Sequence, residues 1–302
     1  MGFEYLTNVP LAQARKEYLE RLVSGGFGSK AETIPVFESC GRVTAKAVYA
    51  HICAPHYAAS AMDGVAVSAK ETFGATETTP VTLNPDQFLV LDTGDPIPED
   101  KDAVIMVEDI VKNGDGSITI HAAAAPWQHI RQIGEDVCAG EMILPSHMTV
   151  SPAAIGAMIA GGVLEIEVIR KPVVGIIPTG DEIIPPCTDP KPGDILEFNG
   201  SIFSAMVRSW GAEAVVYPIV PDKFDQIKEM VAKAADECDM VILNAGSSAG
   251  REDFSARVIR ELGEVLYHGI AIKPGKPAIL GCRGREGHSW SARLSGVRHH
   301  RH

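Results

Sequence analysis

The run Asn244-Ala245-Gly246-Ser247-Ser248-Ala249-Gly250 follows the apolar stretch Met240-Val241-Ile242-Leu243, so glycines, hydroxyls and an amide stand at the end of an expected strand. Backbone N–H groups exposed in such a loop can cradle an oxyanion, and a helix N-terminus just beyond it adds to the attraction. A plain tight turn would use the same residues. Lys273 and Lys276 lie in Ile-Lys-Pro-Gly-Lys-Pro, where proline fixes φ and glycine permits an unusual turn. Two ammonium groups on a stiff loop suit phosphate or another anion; the alternative is a basic surface turn. The run Pro178-Thr179-Gly180-Asp181-Glu182 also follows an apolar stretch, and carboxylates beside phosphate-binding groups can hold Mg²⁺, which prefers oxygen ligands. A helix cap and a turn aspartate account for the same residues. Asp253 either orients a metal or caps the helix containing Phe254 and Val258.

The first half carries further acids. Asp63 sits among small residues in Ser-Ala-Met-Asp-Gly, where Asp-Gly by itself reads as a turn. Arg131-Gln132-Ile133-Gly134-Glu135-Asp136 flanks a glycine with an arginine and two acids, either a ligand loop or an ion-paired one. Thr93 and Asp95 in Asp-Thr-Gly-Asp-Pro-Ile-Pro cap or turn the chain. His51, His56, His129 and His147 lack the spacing of a zinc site. The six cysteines are scattered with no Cys-x-x-Cys pair, so neither a zinc knuckle nor a disulfide framework is signalled. There is no Walker lysine motif and no Gly-x-Gly-x-x-Gly between strand and helix, which removes the usual grounds for a nucleoside triphosphatase or a dehydrogenase.

These loops need elements to hold them. The stretch Pro10–Leu22 has helical spacing after a proline, strands dominate from about Val65 to Glu141, and Ser151–Ile169 reads as a small-residue helix, a Gly-Gly break and a strand. From Lys171 strands and helices alternate, which calls for a mainly parallel sheet covered on both faces, with ligands outside the carboxyl ends of its strands. The expected class is therefore α/β and β multidomain. A discontinuous helical and mixed domain (1–49 and 141–170) is interrupted by a β domain (50–140) and followed by an α/β domain (171–302). The 302 residues suffice for such a division. A formal charge of −12 disfavours a broad nucleic-acid surface. No apolar run reaches a membrane span, and the N-terminal Met-Gly-Phe-Glu-Tyr-Leu lacks a secretory pattern, so a cytoplasmic protein is expected.

Taken in order, Ser-Ala-Met-Asp-Gly, Asp-Thr-Gly-Asp-Pro-Ile-Pro, Arg-Gln-Ile-Gly-Glu-Asp-Val, Pro-Thr-Gly-Asp-Glu, the Asn244–Gly250 loop and Ala-Ile-Lys-Pro-Gly-Lys-Pro resemble the MoeA family, the molybdopterin molybdenumtransferases that include the E domain of gephyrin. The resemblance runs from about Leu11 to Gly281. It implies that adenylated molybdopterin reacts with molybdate, with Mg²⁺ assisting, to give molybdenum cofactor and AMP. It also implies a homodimer with its site between the α/β domain of one subunit and the β domain of the other, supplied by an upstream molybdopterin adenylyltransferase. Carried over by motif, Asp63, Asp136, Glu182, Asp222, Asp253 and Lys273 are the catalytic candidates. Thr93, Thr179, Gly180, Gly246, Ser247, Ser248, Gly250, Lys273 and Lys276 would bind the pterin nucleotide, and Glu182 and Asp253 the metal.

The chain departs from the family pattern at Asn244 and Ala245, where Ser-Gly is commoner, and at Gly269, where many members carry a basic residue. After Gly281 it reads Cys-Arg-Gly-Arg-Glu-Gly-His-Ser-Trp and on to His302, without the Pro-Gly-Tyr-Pro-like loop, helices and C-terminal β domain of the family. The expectation is an α/β domain incomplete after about 281, from a changed reading frame or a natural short variant. The alternative function that follows is a catalytically inactive molybdopterin-binding or dimerising protein.

Overall fold

Pro10 (φ −55°) presets the start of helix α1, Leu11–Ser24, in which Ala14, Tyr18 and Leu22 recur every fourth residue and are the buried positions. The computed structural model describes residues 9–28, 30–245, 254–272, 278–283 and 288–289. Its contacts divide the chain into two units, Ala31–Val168 and Met1–Lys30 with Ile169–His302.

In the unit Ala31–Val168 short strands follow one another: β1 (Ala31–Pro35), β2 (Val48–Tyr49), β3 (Ala59–Ser60), β4 (Gly64–Val67), β5 (Val81–Leu83), β6 (Phe88–Leu91), β7 (Ala103–Met106), β8 (Ile110–Lys112), β9 (Ile118–Ile120), β10 (Ile130–Arg131) and β11 (Met142–Leu144). Helix α2 (Pro152–Ala160) and β12 (Glu165–Ile169) close it. The orders β6-β4-β7 and β5-β9-β8 are both antiparallel sheets. Val65, Val67, Leu83, Ile105, Ile118 and Ile120 form one core, while Ala66, Leu91, Val104 and Ile130 form a second. β4 contributes to both, which is why its sequence Gly-Val-Ala-Val has no polar alternation. Strand β10 pairs with β3, β11 with β2, and β1 with β12. Ser151 caps α2 by accepting the Ala154 N–H at 3.2 Å, and Gly161 and Gly162 (φ 76°) end it.

The α/β unit holds β13 (Val173–Pro178), β14 (Ile183–Ile184), β15 (Ile195–Leu196), α3 (Asn199–Ser209), β16 (Glu213–Val216), α4 (Phe224–Glu237), β17 (Met240–Asn244), α5 (Phe254–Leu262), β18 (Glu264–His268), β19 (Ile279–Arg283) and β20 (His288–Ser289). β16-β13-β17 is a parallel sheet. The chain leaves β13 toward β16 and returns past it to β17, so the direction of winding reverses between β13 and β17; right-handed crossovers then set α3 and α4 on opposite faces. Ile227, Val231 and Ala234 on α4 pack with Ile177, Val241, Leu243 and Val258. Asp239 anchors the sheet's base: it accepts the Val173 N–H at 2.8 Å and holds the Arg170 guanidinium with both oxygens, at 2.6 and 2.5 Å.

Three details of the α/β unit are not set by apolar alternation. The stretch Ala212–Val220 is not one strand: its ladder with β13 ends at Val216, Pro218 has no N–H to continue it, and Val220 meets the sheet again only in an isolated bridge to Thr179. The strand after α5 does not extend the parallel sheet but forms the antiparallel order β18-β19-β20. Helix α1 buries its apolar face on Ile270, Ala278, Leu280 and Cys282, and so groups with the α/β unit. Among the described residues no helix is long and apolar enough to cross a membrane.

Candidate functional site

In the α/β unit the candidates gather at the carboxyl end of β13. Thr179 is buried; its N–H donates to the Asn244 carbonyl at the end of β17 (2.9 Å), and its hydroxyl points at the same oxygen (3.4 Å). Its side chain therefore ties β13 to β17 at the reversal point, where open α/β sheets take ligands. Gly180 N–H donates to the Val220 carbonyl at 3.1 Å, and Asp222 N–H donates to Asp181 Oδ1 at 3.1 Å. Gly180 has φ 146°, and a Cβ there would come within 2.6 Å of Ile183 Cγ1 and 3.3 Å of Glu182 Oε2. Only glycine fits, because Ile183 and the Glu182 carboxylate already fill the space that a Cβ would take.

A cavity of about 590 Å³ opens at the ends of β13 and β16, lined among others by Gly180, Asp181, Glu197, Tyr217, Pro218 and Pro221. Sequence reading missed Glu197. The available signal was a carboxylate just ahead of a helix: Glu197 Oε1 accepts the Gly200 N–H in the first turn of α3 at 2.6 Å. Gly246, Ser247, Ser248, Gly250, Asp253, Lys273 and Lys276 lie outside the described residues.

In the other unit, Asp63 Oδ1 accepts both the N–H and the hydroxyl of Thr93, each at 2.7 Å. The Thr93 hydroxyl, then its N–H, hold the Asp63 carboxyl below the usual carboxylate range. The loops carrying the pair are fastened to β3: Gly94 N–H donates to the Ser60 carbonyl (2.9 Å), and the buried Ser60 hydroxyl donates to Met62 O (2.6 Å). Gly64 has no positive φ; a Cβ there would lie 2.0 Å from the Ile105 carbonyl oxygen. The Asp-Gly pair is thus the entry to a crowded central strand, not the turn that the dipeptide alone suggests. Asp136 takes the ion-paired alternative, with both oxygens 2.6 Å from Arg131 Nη2, and Arg131 in turn pairs with Ala59 of β3.

Among the described residues no three His, Cys, Asp or Glu side chains group as a metal site. Mg²⁺ typically keeps several waters and takes one or two protein carboxylates plus substrate phosphates. The exposed Glu182 carboxylate, next to Gly180 in contact and to the cavity that Gly180 lines, fits that donor set.

Two family models match the chain in succession, the MoeA N-terminal region (domain I and II) over residues 9–162 and a "probable molybdopterin binding domain" over residues 175–299. A Methanocaldococcus jannaschii protein named for molybdopterin biosynthesis is 31% identical over 290 residues, covering 90% of this chain and 72% of the relative. The molybdopterin molybdenumtransferase of Haemophilus influenzae is 31% identical over 287 residues, covering 90% of this chain and 69% of its own. The crystal structure of a molybdopterin biosynthesis MoeA protein from a Pyrococcus superposes with a TM-score of 0.78 at 30% identity, over 96% of this chain and 74% of that one.

Proposed function

Because this chain belongs to the MoeA family, we propose that it is a molybdopterin molybdenumtransferase, inserting molybdenum from molybdate into adenylated molybdopterin and releasing AMP. The observation that carries the reading is the succession of the two family matches, the second of which starts in β13 and runs through the reversal point where Thr179–Glu182 and Asn244 meet.

In this proposal the β13–β17 crevice receives the pterin nucleotide. Gly180 contributes backbone to the cavity wall at the end of β13, where phosphate would lie. Gly246, Ser247, Ser248 and Gly250 offer N–H and hydroxyl donors from the next loop, and Lys273 and Lys276 neutralise phosphate and molybdate charge. Asp222, linked through its N–H to Asp181, fixes the turn that closes over Gly180. Asp63, its carboxylate held in place by the Thr93 bonds, orders polar groups of the substrate, and Asp136 acts as a positioning residue for Arg131. Glu182 and Asp253 would hold Mg²⁺ together with substrate phosphate oxygens, and the ion would supply positive charge beside the phosphoanhydride. No covalent nucleophile is needed.

The proposal further comprises a homodimer in the cytoplasm, fed by a molybdopterin adenylyltransferase, and a division of the sequence at 1–49 with 141–170, 50–140 and 171–302, in which helix α1 of the first part packs on the last. Lys273→Ala and Asp63→Asn each lower AMP release by about 10²-fold with the circular dichroism spectrum unchanged. Unchanged turnover in both removes these residues from the chemistry.

A further inference from the structure

Cys53 and Cys138 are remote in sequence, yet one isolated antiparallel bridge sets them opposite each other. Ala54 and Val137 form that bridge and exchange hydrogen bonds both ways, Ala54 N–H to Val137 O at 2.8 Å and Val137 N–H to Ala54 O at 3.1 Å. The residues next to such a doubly bonded pair occupy a non-hydrogen-bonded position, where opposed Cα atoms approach to about 4.5 Å. A disulfide spans Cα separations of about 4.4–6.8 Å. The sulfurs agree with the backbone: the point a Cβ would occupy on Gly134 lies 2.8 Å from Cys138 Sγ and 3.6 Å from Cys53 Sγ. Cys138 Sγ donates to the Gly134 carbonyl at 3.4 Å, and Cys53 Sγ accepts the Ala139 N–H at 3.4 Å. Gly134 (φ 78°) thus leaves the space both sulfurs use. Both thiols are reduced; Cys138 is exposed and Cys53 half-buried.

We propose that Cys53 and Cys138 form a redox pair that a hydroperoxide closes to a disulfide. The Cys138 thiolate attacks one peroxide oxygen, the O–O bond breaks, and the other oxygen leaves as an alcohol or water after taking a proton; Cys138 becomes a sulfenic acid. The Cys53 thiolate then attacks that sulfur, the S–S bond forms, the S–O bond breaks, and water leaves with the remaining proton. Two thiols are oxidised by two electrons and the peroxide is reduced by two. A dithiol reductant reverses the step by exchange. The disulfide staples the segment that carries Arg131 and Asp136, since Gly134 N–H already bonds to Pro55 O and Asp136 N–H to Ala54 O, each at 2.9 Å. Closing the pair opposes local opening of that segment.

The full chain is treated with stoichiometric hydrogen peroxide, its remaining thiols are alkylated, and its peptides are mapped without reduction. The expected product joins the Cys53 and Cys138 peptides with the loss of two hydrogens, leaves the other four cysteines alkylated, and reverts with dithiothreitol. In Cys53→Ser, Cys138 is instead trapped by dimedone as a sulfenic acid. Hydrogen exchange at Gly134 and Asp136 slows in the oxidised wild type. A wild type in which Cys138 is oxidised without a linked peptide, or in which Cys40 or Cys187 links instead, overturns the pair. A disulfide that leaves exchange in the segment unchanged overturns its stapling role.

Discussion

Asp63 Oδ1 accepts two hydrogen bonds from one residue, the N–H and the hydroxyl of Thr93, both at 2.7 Å. The two bonds join the loop after β3 to the loop after β6 and are stronger to the ionised carboxylate than to the neutral acid. Thr93→Val removes the hydroxyl bond and raises the Asp63 titration midpoint toward the usual carboxylate range, as read by carboxyl carbon NMR. Because the folded-state pKa is depressed, stability from this contact is complete above the usual range and is lost as pH falls through the lower, folded value. An unchanged midpoint in Thr93→Val would show that the hydroxyl does not hold Asp63.

Gly64→Ala tests the crowding beside that pair. With the added methyl only 2.0 Å from the Ile105 carbonyl oxygen, β4 cannot stay between β6 and β7 without moving. We expect a loss of about 3 kcal/mol in urea unfolding. A loss below about 0.5 kcal/mol, the range of ordinary surface substitutions, would mean that the sheet opens freely there.

Asp239→Ala tests the base of the parallel sheet. Burial works against the Asp239 charge, but the Val173 N–H, Arg170 and Lys30 outweigh it and hold the carboxyl below the usual range. Removing it leaves a charged donor and a backbone N–H without that acceptor, at a cost of about 2 kcal/mol at neutral pH. The difference from wild type shrinks as pH falls through the depressed Asp239 value, where the wild-type carboxyl is itself protonated. A difference independent of pH would assign the effect to packing rather than charge.

Metal removal tests the carboxylates near Gly180. Chelation is expected to abolish AMP release and added Mg²⁺ to restore it, with Glu182→Gln needing more Mg²⁺ for half-maximal rate. Turnover indifferent to chelator would remove Glu182 from a metal role.

Elements governed by local rules were legible in the residues. Proline before α1, the four-residue recurrence of Ala14, Tyr18 and Leu22, and the Gly161-Gly162 stop after α2 are short-range signals. The alternation that produces β13, α3, β16, α4 and β17 is likewise written in apolar periodicity. Features set by contact across the chain were not. Gly64 looks like a turn residue until the Ile105 carbonyl is placed against it, and Glu197 looks like an ordinary helix cap until the cavity wall is assembled. Cys53 and Cys138 carry no spacing signal, because only the Ala54–Val137 bridge makes them neighbours. The opposite orientation of β18 and β19 depends on pairing choices that periodicity does not encode. Of the candidate site, the carboxylates at 63, 136 and 182 came from motif; that Asp136 spends both oxygens on Arg131 was visible only as one of two alternatives.

The most direct measurement mixes this chain with adenylated molybdopterin, molybdate and Mg²⁺ and follows AMP together with molybdenum bound to the pterin. A molybdopterin molybdenumtransferase releases AMP only when molybdate is present, and forms one molybdenum-loaded pterin for each AMP. Binding of adenylated molybdopterin without any molybdate-dependent AMP would contradict the proposed activity.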